Sequence, residues 1–570
     1  MQNKIKKIAL FLCFAAIMLV SEIFAQENST VFPITENDSP TVLIRENVNV
    51  SEKVANYQLN EVYFLTNGVT KPSALKRKVK LDKSRIFKTE SEIKEYLDNI
   101  NQQLINTRLL ETCDYTYTFV EEDQENYKCN VTFITSDSNH LLALPKPTLD
   151  SNKGLQIKVK LKDMNFLGFM SDLNFDFNYE NEFDSSTGAT LFSGEHKHSF
   201  GMNFQYDFPF TFLLDNTWTN DLAFSWTIGS NLPEFSYTTG LTTSIPIGIH
   251  SLNIGFVQSV IRNEDYIKYG DELYGVEAAS LSIPLVIGTL PDLSEVIYNP
   301  AVTFTYNWDY NGISIDNEDL RSPTLSFCHS ITTGRVDWTG NYRNGYSVNA
   351  TQSFGWNFQT KKFIPTLSAD FQIHKSINFG KNPFLGFSGR FYYFHQLNSN
   401  QEIGARIRGV LDKQYFANGS YYALKVPQAF VLNFDMPFHV ITTHWMDWGY
   451  KLFGSYDDMS KAAKIIWWLP HKLFNYLDFE FQLSPFFDMA LTRKPEESLY
   501  EIENSLMWQN GFYSAGIEAI IFPSKWKSFT VRTSIGFDIG KYLFKDVINQ
   551  EWRDPNIKGW EMFFGLGLHY

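Results

Sequence analysis

The chain has 570 residues, of which 16% are aromatic and 50 are Phe, yet its mean hydropathy is −0.23. A net charge of −14 argues against a nucleic-acid partner, which would be held through its phosphates. Many aromatics within a polar average mean that apolar and polar residues are finely interleaved. Past the N-terminus no apolar run reaches the length of a spanning helix.

In chain order, residues 1–25 read as a secretory signal peptide. Lys4, Lys6 and Lys7 form a basic head, Ile8 to Val20 an apolar core, and Ile23-Phe24-Ala25 a cleavage site. Residues 26–56 are polar and aperiodic, which predicts a linker or flexible arm. NEVYFLTNG, from Asn60, predicts a strand closed by a turn, and SALKRKVKL a short helix. TESEIKEYLDNINQQLINT places Ile93, Tyr96, Leu97, Ile100 and Leu104 on one helical face, with Thr89 or Ser91 as N-cap. Two strands follow around EEDQEN. Residues 57–137 therefore predict strand–helix–helix–strand–strand. Cys113 and Cys129 fall out of register in that hairpin and are expected as free thiols. With Cys13 and Cys328 they make no disulfide framework and no metal-ligand pattern.

From residue 139 onward, period 2 replaces the helical period. SDLNFDFNYE sets Leu173, Phe175, Phe177 and Tyr179 against Asp172, Asn174, Asp176 and Asn178. GMNFQYDFPF and QAFVLNFDMPF alternate in the same way. Either a soluble sandwich or a lipid-facing barrel explains such alternation. The segments, many of 10 to 14 residues, have membrane-spanning lengths for tilted strands, and their polar alternates suit a wet lumen. Backbone groups in lipid must all be paired, so the sheet must close. The expected fold is an all-β transmembrane barrel over 139–570 with an even number of antiparallel strands, sixteen preferred and eighteen open.

The segment 399–427 is polar and contains Ile407-Arg408-Gly409-Val410. Later the chain reads Phe486-Phe487-Asp488-Met489-Ala490, and earlier Asn165-Phe166-Leu167-Gly168. On these residues the chain resembles the outer-membrane assembly and translocation barrels, the superfamily of BamA, TamA and the two-partner-secretion transporters. Residues 57–137 resemble its polypeptide-transport-associated (POTRA) domain. The resemblance covers nearly all of the mature chain. Val410 stands where an aromatic is usual, and Ala490 where the family has Gly. The resemblance implies that 399–427 is a long loop folded into the lumen, with Arg408 and Gly409 at its tip and Asp488 as partner of the Arg. Five strand segments remain after the loop, as the family requires.

Alternation supports the pairing independently. In FEFQLSPFFDMA it puts Glu480, Gln482 and Asp488 in the lumen, and further on Glu518, Arg532 and Asp538. Glu480, Glu518 and Asp538 are thus possible additional partners of Arg408, because a guanidinium bonds a carboxylate bidentately. The last strand, GWEMFFGLGLHY, carries Phe564 and Tyr570 on its lipid face and Gly565 and Gly567 on its lumen face, where missing side chains weaken a strand. In the resembled family the seam between first and last strands opens sideways, and a client strand adds to its edge.

Residues 439–477 depart from the family pattern. Trp445, Trp448, Trp467 and Trp468 stand among lysines, and 457–469 has helical period, which predicts an interfacial helix at the periplasmic membrane surface. A helix packed beneath the barrel is the alternative. His196-Lys197-His198 reads as a solvated loop. No catalytic motif, metal site or cofactor is expected, and the chain does not read as an enzyme. The expected function is an outer-membrane assembly factor with its N-terminal domain in the periplasm of a Gram-negative-type envelope. Its partners would be unfolded outer-membrane or secreted protein clients, membrane lipid and accessory envelope proteins. A two-partner-secretion-type translocase and a passive porin or structural barrel are the alternatives.

Overall fold

The computed structural model describes residues 55–570, apart from 80, 124, 151–153, 184–195, 231, 249, 263–272, 291, 293, 310–319, 321, 380–381, 397–400, 404–405, 411–412, 416–420, 424, 455–463, 465–476, 494–505 and 544–558. The segment expected as a signal peptide, 1–25, and nearly all of 26–56, expected as a linker or arm, lie outside the described residues.

The N-terminal unit runs β1 (Asn56–Asn67), α1 (Pro72–Lys78), β2 (Ile86–Phe87), α2 (Glu90–Asn106), β3 (Leu110–Asp123) and β4 (Asn126–Asp137). The sheet order is β2-β1-β4-β3, with β1 parallel to β4. Beyond the pattern expected from sequence there is β2, a two-residue edge facing Tyr57 and Gln58. Thr89 starts α2: its hydroxyl accepts from the Glu92 amide at 3.1 Å, while the Glu92 carboxylate accepts from the Lys88 amide at 2.7 Å. The first bond satisfies an amide that the first turn leaves open, and the second ties the residue before the cap to the same turn. The helix then buries Ile93, Leu97, Ile100 and Leu104 against the sheet, with Phe87, Val131 and Phe133 in the same core.

Cys113 and Cys129 are buried in that core as free thiols. Burial pushes both thiols up to about 12. The reactive form is the thiolate, so neither Cys should react with a maleimide near pH 8 until the domain unfolds. The sign follows from linkage: the folded pKa is raised, so this contribution is constant below the pKa of the unfolded thiol. It is lost as pH climbs from there toward about 12. Time-resolved labelling with mass readout checks this, and rapid labelling of folded protein would sink it.

The second unit begins with β5 (Leu141–Asp150), β6 (Gly154–Asp163), β7 (Leu173–Phe183), β8 (His196–Phe212) and β9 (Leu214–Thr227). It continues through β10 (Glu234–Ile247), β11 (His250–Arg262), β12 (Tyr274–Ser282), β13 (Leu285–Thr289) and β14 (Glu295–Trp308). Next come β15 (Thr324–Thr339), β16 (Tyr342–Asn357), β17 (Lys362–Phe379) and β18 (Asn382–Gln396). Four short segments follow inside the 397–427 loop: β19 (Gln401–Glu402), β20 (Lys413–Tyr415), β21 (Tyr421–Ala423) and β22 (Lys425–Val426). The wall resumes with β23 (Gln428–Asp435), β24 (Phe438–Thr442), β25 (Phe479–Arg493), β26 (Phe512–Pro523), β27 (Val531–Asp538) and β28 (Trp560–Leu566).

Twenty of these segments form one closed barrel in which β28 stands beside β5. Two crossings are each split: β12 and β13 both pair with β14, and β23 and β24 both pair with β25. Twenty segments less two gives eighteen crossings among the described residues, not the preferred sixteen. The second split falls at Met436-Pro437, where proline has no amide to give the ladder, and pairing resumes at Phe438. The crossing thus runs to Thr442, past the boundary at 439 expected from sequence. The outer face is apolar: Phe304, Phe327, Ile373, Phe434, Ile517 and Ile535 are all exposed. An exterior of this kind is one that lipid covers. On the inner face Asn433, Ser484, Asp488 and Ser514 are wholly buried.

The N-terminal unit grips three turns on one rim of the barrel. At the β6–β7 turn, the Lys71 amide donates to the Gly168 carbonyl at 2.9 Å and the Asn165 amide side chain donates to Thr70 Oγ1 at 2.6 Å. At the β15–β16 turn, Arg108 donates to Asn341 at 2.9 Å and lies 4.1 Å over the Trp338 ring, while Asn106 donates to Asp337 at 2.8 Å. At the β26–β27 turn, the Asn139 amide donates to the Lys525 carbonyl at 2.8 Å, and Lys525 pairs with Glu111 at 3.1 Å.

Candidate functional site

The loop between β18 and β23 enters the lumen. Its stem is closed by β19 against β22. Ile403, Ile407 and Val410 are buried in one cluster with Phe394, Val431 and Phe512. Burying such a side chain contributes about 1.5–3 kcal/mol, so three aliphatic anchors drive the polar loop inward. Val410 fills this cluster in the place of the motif's usual aromatic.

Between the anchors sits Arg408, 5% exposed. Its Nε and Nη2 donate to the two carboxylate oxygens of Asp488 at 2.9 and 2.8 Å, and its backbone amide donates to the same group at 2.8 Å. Nη1 donates to Asp435 at 2.6 Å and lies 3.6 Å from Glu518. Glu518 is in turn bonded by Arg532 at 2.9 Å. The Phe486 ring lies 3.9 Å from the guanidinium carbon. Two cations and three carboxylates thus share one dehydrated region, and each is held by a direct hydrogen bond. Charges buried in such a setting persist only when paired in this way.

Gly409 has φ 79°, and a Cβ there would lie 2.7 Å from the Gly536 carbonyl carbon on β27. Only glycine tolerates both that backbone and that approach. The Gly409 amide donates to the Glu561 carboxylate on β28 at 3.0 Å, so the loop tip is tied to the last strand.

Of the residues singled out from sequence, Arg408, Gly409, Asp488 and Glu518 come together. Glu480 does not: it accepts from Asn341 at 2.8 Å and from Gln482 at 2.6 Å. It shares the lumen face with Asp488, but eight residues of strand separate them, about 27 Å at 3.4 Å per residue. Asp538 is also buried, but its carboxylate accepts from the Lys541 amide at 3.0 Å and caps α4 (Ile539–Tyr542).

Sequence reading quoted Phe486 within its motif and set Asn433 and Asp435 on a polar strand phase but gave none of them a part in the lock, and it missed Glu561; the Asn433 side-chain amide donates to the Arg406 carbonyl at 2.8 Å. A signal for Phe486 exists: it is an aromatic standing on the polar phase of its strand, between Ser484 and Asp488. Asp435 stands on the lumen phase of β23, two residues past Asn433, which faces Asp488 in register.

Strand β28 ends at Leu566, so Gly567 and Tyr570 are not strand residues. Gly567 has φ 86°, which turns the chain out of the ladder. Tyr570 then lies inside the barrel and not on its lipid face. Its hydroxyl donates to the Ser388 carbonyl on β18 at 3.0 Å, and Arg343 on β16 donates to its main-chain oxygen at 2.6 Å. A polar chamber with room for water is left between this tail and the lock, walled by Arg343, Asp435, Gln482 and Glu518. Phe564 is exposed on the outer face and Gly565 is buried.

After Thr442 comes α3 (Trp445–Phe453), with Trp445 and Trp448 rings 5.2 Å apart. This helix precedes the expected one at 457–469. That span, Trp467 and Trp468 lie outside the described residues, except Lys464. His196 and His198 fall within β8 and not in a loop, with their rings stacked at 6.1 Å. No group of three or more His, Cys, Asp or Glu able to hold a metal occurs among the described residues.

No family model and no curated protein matches the chain. Among solved structures it is similar to CdiB from Acinetobacter baumannii, with a TM-score of 0.43 and 10% identity over 90% of this chain and 74% of that one. It is also similar to CdiB from Escherichia coli, with a TM-score of 0.37 and 8% identity over 97% and 96%. BamA from Haemophilus ducreyi lacking POTRA domains 1-3 gives 0.34 and 12% over 90% and 85%. Likeness this loose carries no function across.

Proposed function

We propose that the chain is an outer-membrane assembly factor. In this reading the N-terminal unit is a POTRA-like periplasmic domain that captures unfolded β-barrel clients by strand addition. The seam between β28 and β5 then passes them into the membrane, without a cofactor or catalytic residue. The observation that carries the reading is the state of the last strands. Strands β27 and β28 have 8 and 7 residues, against 18 in β17. A short edge at a barrel seam offers few ladder bonds to break and a template for an incoming strand. Meanwhile the lumen is occupied by the Arg408 loop and the 567–570 tail. A path through the lumen, as in a two-partner-secretion-type translocase, requires both to leave. A passive porin would have no use for either.

The test is a comparison of outer-membrane and secreted proteomes after depletion, with wild-type and Arg408→Ala copies restored. Many barrel proteins should fall together, and only the wild-type copy should restore them. Loss of one exported protein with barrels untouched would instead identify a dedicated translocase.

A further inference from the structure

The segment 71–85, KPSALKRKVKLDKSR, stands out in a chain of net charge −14: seven of its fifteen residues are Lys or Arg and one, Asp82, is acidic. Ala74 and Leu75 are buried and fix α1 to the domain core, which leaves Lys76, Arg77 and Lys78 on its exposed side. Among the described residues no acidic side chain pairs with these three. The cations are unneutralised on a protein that otherwise repels anions.

The 68–71 stretch is welded to the β6–β7 turn of the barrel. The Gly168 backbone approaches Val69 so closely that a Cβ would lie 2.0 Å from its carbonyl oxygen. This seats Lys71 Nζ 3.7 Å over the Phe169 ring, with the Arg77 guanidinium 5.9 Å from the same ring. Phe169 packs edge-on against Phe208 of β8 at 5.3 Å, and Phe208 stacks with Phe210. That strand ends at a tip where Phe212 is 73% and Leu213 91% exposed. Leu167 and Val69 are also more than half exposed. Apolar tips beside a patch of free cations, at the rim of a lipid-covered wall, match the layering of a membrane interface.

We propose that Lys71, Lys76, Arg77, Lys78, Lys83 and Arg85, with Phe169 and the β8–β9 tip, form a binding surface for anionic phospholipid headgroups in the leaflet on the domain's side. The cations meet the phosphates and the apolar tips enter the acyl boundary. The inference rests on the reading that the barrel spans a membrane with the domain beneath it. A cluster of this size is within the range that binds anionic lipid, and each basic residue strengthens attachment about five-fold, about 1 kcal/mol.

The test uses the full chain inserted in vesicles of phosphatidylcholine alone or phosphatidylcholine with phosphatidylglycerol. Amide exchange over 71–85 is followed in each. Heat-modifiable gel migration reports insertion separately, so a barrel that fails to insert is told apart from a surface that fails to bind. Protection should be several-fold greater with phosphatidylglycerol and should fall as salt rises. It should vanish in a Lys76→Gln/Arg77→Gln/Lys78→Gln variant, which keeps Ala74 and Leu75. Equal protection in both lipids, or protection unchanged in the variant, overturns the proposal. So does protection that appears only when a poly-glutamate peptide is added, which would assign the patch to an acidic polypeptide.

Discussion

Arg408→Ala is expected to lower the stability of the folded barrel by about 3–5 kcal/mol, the cost of stripping one partner from a buried ion pair. Asp488 has no exposure and Asp435 little, so neither carboxylate can recover its loss from bulk water. The removed side chain also gives up its contact with Phe486. In detergent or vesicles the urea midpoint should fall and the heat-modifiable band should convert at lower temperature. Arg408→Lys should be intermediate at best, since an ammonium keeps the charge but cannot reach Asp488 and Asp435 with a planar fork. The Arg408→Ala/Asp488→Ala double variant should cost clearly less than the sum of the single ones, because each already breaks the same pair. An unchanged midpoint for Arg408→Ala would mean the loop is held by its aliphatic anchors alone.

Gly168→Ala should break the N-terminal unit's hold on the β6–β7 turn while leaving both unit and barrel folded. The position has φ 75°, and the new methyl would meet the Val69 carbonyl 2.0 Å away. Adopting that backbone costs a non-glycine residue about 1–2 kcal/mol, and the collision has no flexible side chain to absorb it. The Lys71–Gly168 bond must break, and with it the network in which Asp137 accepts from the Val69 and Thr70 amides at 2.7 and 2.9 Å. Amide exchange should quicken over 68–71 and 165–170 while α2 and the barrel wall stay protected, and the Arg108 contacts should keep only a looser hold. Uniform loss of protection across α2 would instead mean that the domain core depends on the junction.

Alternation made the barrel legible, because inward and outward residues differ in kind along almost every strand. Strand number was less legible. The breaks at Ile283–Pro284 and Met436-Pro437 interrupt the period without starting a new crossing, and only pairing partners tell the two cases apart. The lock was half legible. Arg408 and Asp488 sit in motifs, but choosing among carboxylates on one face needs height along the strand. Glu480 and Asp435 look alike in sequence, and only Asp435 lies level with the loop tip. The tail was read wrongly for a related reason: GLGLHY keeps perfect period 2, and nothing in that pattern shows that Gly567 takes a positive φ and ends the strand.

The inward tail has a mechanical consequence. A closed ring of thin wall resists stretching but is easily squashed into an oval. The loop tip and the Tyr570 tail act as two spokes. One joins β25 and β23 to β28, and the other joins the end of β28 to β18 and β16. Crossing spokes triangulate the arc from β16 to β28 and fix its curvature. The arc from β5 to β15 has no such brace across the lumen among the described residues, and the N-terminal unit holds it only at the rim, at the β6–β7 and β15–β16 turns. Under lateral pressure from the bilayer, flattening should therefore concentrate in the unbraced arc, and the two arcs meet at the seam where β28 stands beside β5.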